Sequence, residues 1–182
     1  MSPESESSFD PNALPPTLPE CCLKVLARPG WYDAALLRAV RIQPANLFVR
    51  AISSPRVAGM EIAATTIGHT IYFRDPAYFD PHSPDGLALL AHEIRHIEQY
   101  REQGGVVRFS INYLLEYLRG GYGTDISAEA EAYELGSTVQ AHLEAEFAYN
   151  AGQVLCEITP AGHTPNLLYS FLTPYPALPR RV

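Results

Sequence analysis

Residues 85–103 read DGLALLAHEIRHIEQYREQ. Leu87, Leu90, Ile94 and Ile97 recur at helical spacing. Ser83 stands where an N-cap is needed, Pro84 fits the first turn, and Gly104-Gly105 stops the run. The stretch therefore predicts one regular helix with an apolar face. It also carries His92 and His96, four residues apart. On a helix such a pair lies about 40° apart in projection and one turn apart along the axis. Both imidazoles can then point at a single ion. Glu93 sits about 100° further round the helix than His92. That places it off the ligand line but beside a solvent molecule on the ion. HExxH is thus a mechanism as well as a pattern: two histidines hold zinc, zinc acidifies a bound water, and the neighbouring carboxylate takes its proton. Two surface histidines on an ordinary helix is the weaker reading.

Zinc of this kind needs a third protein donor, with one position left open for chemistry. A third histidine in an HExxHxxGxxH pattern is excluded, because Gln99 and Glu102 stand at those positions. A downstream carboxylate is expected instead. The block Ser127-Ala128-Glu129-Ala130-Glu131-Ala132-Tyr133 supplies one. Glu129 with Ala132 forms E-x-x-A on a predicted helix, and the small Ala132 allows that helix to approach the HExxH helix closely. Glu131 is the alternative, turned to a different side of the same helix.

Outward from these helices the chain predicts further elements. Short helices are expected at Glu20–Ala27, before Pro29-Gly30, and at Tyr32–Ile42. Asn46–Ile52 (NLFVRAI), Met60–Thr66 and His69–Phe73 read as strands, with a turn or bulge near Gly68. Asp75–Asp85 is a proline-rich loop. Val106–Arg119 is a helix in which Tyr113, Leu114, Tyr117 and Leu118 read as a packing stripe. The last helix starts at Ser127 as N-cap and runs to about Tyr149. Helices, a bunched strand cluster and more helices predict an α+β fold with a small, mainly antiparallel or mixed sheet. Residues 1–18 read as a flexible Pro/Ser/Glu-rich tail, 19–158 as one domain, and 159–182 as a proline-rich strap. His69–Phe73 is a possible sheet edge on which an extended peptide could be added.

The chain has 182 residues, 47% of them hydrophobic and 18% charged, enough for a core. Its net charge of -7 excludes a broad basic footprint for nucleic acid. No run approaches the roughly 18 apolar residues of a membrane span. Three cysteines, Cys21, Cys22 and Cys156, suit a reducing compartment, with Cys21 and Cys22 as small apolar residues on an early helix. The acidic, proline-rich start has neither a basic end nor an apolar run, so a cytoplasmic protein is expected, with non-classical export open.

AHEIRHIEQYRE followed by AEAEAY resembles the zincin metallopeptidases of the gluzincin type, in which HExxH is completed by a downstream glutamate. Within them, HExxHxxQ (His92 to Gln99) is similar to the metallopeptidase domain associated with extracellular contractile injection systems. The resemblance spans roughly Ile62 to Leu135. It implies a zincin-like fold, zinc on His92, His96 and Glu129, Glu93 as general base, and a protein or peptide substrate. Gluzincins commonly carry Asp where Tyr133 stands here. The alternative function is a zinc-stabilised interaction domain of an effector or toxin system, with little turnover. For the groups around the metal, Asp125, Glu131 and Glu98 are the acids available to the histidines. Tyr122, Tyr133, His142 and His163 are the available oxyanion donors.

Overall fold

A computed structural model describes residues 14–52, 62–120 and 126–149. It holds α1 (Glu20–Leu26), α2 (Ala34–Ala39), β1 (Arg41–Pro44), α3 (Leu47–Ile52), β2 (Ala64–Ile67), β3 (Thr70–Phe73), α4 (Pro84–Glu102), α5 (Val106–Gly120) and α6 (Ser127–Tyr149). The fold class is α+β, as expected, with a three-stranded mixed sheet in the order β1-β3-β2. β1 runs parallel to β3, Arg41 opposite Thr70, and β2 runs antiparallel to it, Ala64 opposite Phe73.

The HExxH segment forms α4 for the reasons its sequence suggests. Ser83 accepts the Gly86 N–H at 3.1 Å, and Pro84 opens the first turn. Gly86 is obligatory there, because a Cβ would stand 1.8 Å from the Asp80 carbonyl oxygen. Leu87, Leu90, Ile94 and Ile97 are fully buried and join Ile71 and Phe73 of β3 and Val139 and Leu143 of α6 in the main core. α4 thus lies against both the sheet and α6. A second, smaller cluster forms under α5 from Phe109, Ile126 and Ala128.

Several local expectations are corrected. Asn46–Ile52 is not a strand: Leu47–Ile52 is helical. The Asn46 side chain accepts the Val49 N–H at 2.9 Å, and this cap outweighs the weak extended preference of Phe48 and Val49. The Tyr32–Ile42 helix is shorter, since the chain turns extended at Val40 and Ile42 enters β1. His69–Phe73 is not a sheet edge, because β3 is the central strand and β1 and β2 are the edges. Of the expected tail, Leu18 is buried and Thr17 bridges to Arg41. Residues 1–13, Met60 and the strap fall outside the described residues. Ser127 begins α6, but its side chain is not the cap. Glu116 of α5 accepts its N–H at 2.7 Å and so caps α6 from outside. The α5 stripe splits: Tyr113 and Tyr117 pack on the second cluster, whereas Leu114 and Leu118 are exposed. Both early cysteines are buried on α1. Cys22 keeps its thiol, which burial pushes up to about 12, whereas Cys21 is disulfide-bonded.

Candidate metal centre

α4 and α6 meet along a line of small residues. Ala132 is fully buried, and a Cβ on Gly136 would stand 3.2 Å from the Ala88 carbonyl oxygen. This close approach brings Glu129 of α6 over the two histidines of α4. His92 Nε2 lies 3.3 Å from His96 Nε2 and 3.3 Å from Glu129 Oε2. His96 Nε2 lies 3.7 Å from Glu129 Oε1. The ligand atoms of all three residues fall within 4.8 Å of one another, a group that could hold a metal ion. Glu131 is elsewhere: its carboxylate meets Arg95 at 2.9 Å, alongside Glu98 and Glu102 on the same guanidinium. Of the two acids left open by spacing, Glu129 is the one the fold brings to the histidines.

The electrostatics of the group are reciprocal. Burial alone would raise the Glu129 carboxyl, but its hydrogen bond with His92 and the neighbouring His96 hold it below its usual 4.5. Burial alone would lower His92, but the Glu129 bond and the charges of Glu93 and Glu129 outweigh it and raise the imidazole above 6.5. Tyr113 of α5 donates to Glu129 Oε1 at 3.0 Å. Phe109 packs edge-on to the His96 ring, with centroids 6.2 Å apart. α5 therefore closes the back of the cluster.

Glu93 is buried, and Thr66 of β2 donates to its Oε2 at 2.6 Å. The Thr66 carbonyl in turn accepts from Tyr100 at 2.6 Å. Thr66 of β2 is thereby fastened to α4 at Glu93 and again at Tyr100. Glu93 and His92 open onto a cleft of about 550 Å³. Ile62–Ala64 form one wall, Tyr133, Gly136, Ser137 and Gln140 of α6 the other, and Asp85, Ala88 and Leu89 extend the floor. Ala63 pairs with β3 through its carbonyl and Arg74 N–H. Alternation along the strand then turns the backbone of Ala64 to the free edge beside the cleft, whereas the Thr66 carbonyl is taken by Tyr100.

The HExxH helix and its sheet edge have a counterpart among known families. Residues 32–104 match the family model of the eCIS core domain. This ties the segment to proteins of extracellular contractile injection systems. The eCIS core match spans α2 to the end of α4, including His92, Glu93, His96, Gln99 and the β2 edge, and ends before Glu129. No curated protein and no solved structure matches the chain.

Around the cluster, other expectations are redirected. Neither Glu98 nor Glu131 reaches a histidine, since both serve Arg95. The His96 Nδ1 partner is Gln99 Oε1 at 2.9 Å. Tyr133, standing where an Asp was expected, packs its ring on His92 at 4.6 Å and remains half-exposed at the cleft. His142 stacks near Trp31, away from the cleft. Tyr122, Asp125 and His163 lie outside the described residues. Sequence reasoning missed Thr66 and the Tyr113 contact to Glu129. Only the placement of β2 and α5 shows them, because neither residue belongs to a local motif.

Proposed function

We propose that this chain is a zinc-dependent metallopeptidase whose ligands are His92, His96 and Glu129 and whose general base is Glu93. The observation that carries the reading is the spacing of the donors. A tetrahedral ion with bonds of about 2.0–2.1 Å holds its donors about 3.3 Å apart. His92 Nε2 stands 3.3 Å from His96 Nε2 and 3.3 Å from Glu129 Oε2, while the other carboxylate oxygen, Oε1, stands 3.7 Å from His96 Nε2. Two imidazoles and one carboxylate are the donor set of zinc sites that keep an open position.

When bound, zinc would supply Lewis acidity to the scissile carbonyl and acidify water. The protein residues supply the rest. An extended peptide lying in the cleft pairs with the Ala64 edge of β2, as strands add to open sheet edges. Its scissile carbonyl then faces His92 and Glu93. Glu93, steadied by Thr66 at 2.6 Å, takes the proton of the attacking water and passes it to the leaving amine. The buried walls of α5 and β2 keep bulk solvent from the back of the site.

The test is digestion of a peptide library by the zinc-loaded full chain, with Glu93→Gln as control. The reading expects cleavage by the wild type and a loss of about 10²–10⁴-fold in Glu93→Gln, with the metal still bound. The match to the eCIS core domain favours a second reading, a zinc-stabilised interaction domain within a multiprotein system. Zinc bound equally by both proteins, with neither cutting any peptide, would select that second reading.

A further inference from the structure

Gln99 is 2% exposed, so both ends of its amide must be satisfied inside the protein. Its Nε2 lies 2.9 Å from the Ala128 carbonyl oxygen and 3.2 Å from Glu131 Oε2. A carbonyl only accepts, and so does a carboxylate. The amide NH₂ must therefore face α6, which leaves Oε1 facing His96 Nδ1 at 2.9 Å. The reversed amide would set its oxygen against two acceptors. An amide oxygen carries no proton, so Nδ1 of His96 must supply it. In the neutral ring, Nε2 then keeps its lone pair, and Nε2 is the atom turned to His92 and Glu129.

We propose that Gln99 is a positioning residue that fixes the metal-binding tautomer of His96, taking its own orientation from the Ala128 carbonyl. The helix that carries Glu129 thereby also dictates which nitrogen of His96 can bind an ion. The consequence for metal affinity rests on the zinc reading above, whereas the tautomer assignment does not.

The experiment is long-range ¹⁵N–¹H NMR of the histidine-labelled, metal-free full chain at pH 8, paired with zinc affinity from competition with a chromophoric chelator. In the wild type His96 is expected to carry its proton on Nδ1. Gln99→Leu should release the proton to Nε2 or a mixture of tautomers and weaken zinc about 10–100-fold. The proposal is overturned if wild-type His96 is protonated on Nε2, a result that needs no variant to fold. It is equally overturned if Gln99→Leu leaves the tautomer unchanged, whatever happens to affinity. A wild type that binds no zinc would remove the peptidase reading while leaving the tautomer measurement decisive.

Discussion

Glu129 and Glu131 stand two positions apart on α6 and serve different partners. Glu129 closes on His92 and His96, and Glu131 closes on Arg95. Replacing each by glutamine should separate them. Glu129→Gln removes a ligand and should abolish stoichiometric zinc binding in equilibrium dialysis. Glu131→Gln should leave that binding intact. Protons compete for the same group, and the sign follows from the shifts. His92 is raised above 6.5, so its contribution to stability is complete below that value and is lost as pH rises through the raised one. Glu129 is held below 4.5, so its contribution is present above that value and is lost as pH falls through the lowered one. In metal-free protein the pair should therefore stabilise most between pH 4.5 and 6.5. Urea unfolding of wild type against Glu129→Gln should show the largest gap there and a smaller one at pH 8. At this scale the sequence was informative where one helix holds the motif, at His92, Glu93 and His96. Glu129 and Glu131 could not be separated by spacing alone, because the choice depends on how α6 rotates against α4.

The α4–α6 pairing is the element on which the site depends. It rests on small residues that no periodicity of large apolar side chains marks. Substituting leucine at Gly136 would drive a side chain into the Ala88 carbonyl, already 3.2 Å from a notional Cβ. Such overpacking should cost about 1–3 kcal/mol and also displace Glu129, lowering zinc affinity. Gly86→Ala meets the Asp80 carbonyl at 1.8 Å and should destabilise at or above the upper end of that range, without touching a ligand. Denaturant midpoints of the two variants, set beside their zinc affinities, distinguish the roles. The α4 helix was legible because its Ser83 cap, its glycine stop and its apolar spacing agree. Leu47–Ile52 was not, because its β-branched and aromatic residues point one way and the Asn46 cap points the other. β1 was hidden for another reason: it buries only Ile42 among its four residues and pairs with a strand far along the chain.

For the molecule as a whole, the metal would join elements that the main core holds only in part. α4 shares that core with the sheet and α6, while α5 touches the site through the smaller Phe109 cluster. An ion binding the folded chain alone stabilises it by about 4 kcal/mol at 1,000 times its dissociation constant. Chelation should accordingly lower the melting temperature, and zinc should restore it. Among the described residues no helix is long and apolar enough to cross a membrane, yet α5 leaves Val107, Ile111, Leu114 and Leu118 exposed. The α+β class followed from element order. The assignment of β2 as the edge beside the cleft did not, since strand order in a sheet depends on non-local pairing. The most direct test of the central claim is a crystal structure of the full chain grown with zinc and measured at the zinc absorption edge. The account predicts one anomalous peak within bonding distance of His92 Nε2, His96 Nε2 and Glu129, facing the cleft beside Glu93. The two imidazoles turned to separate neighbours, with no peak between them and Glu129, would contradict it.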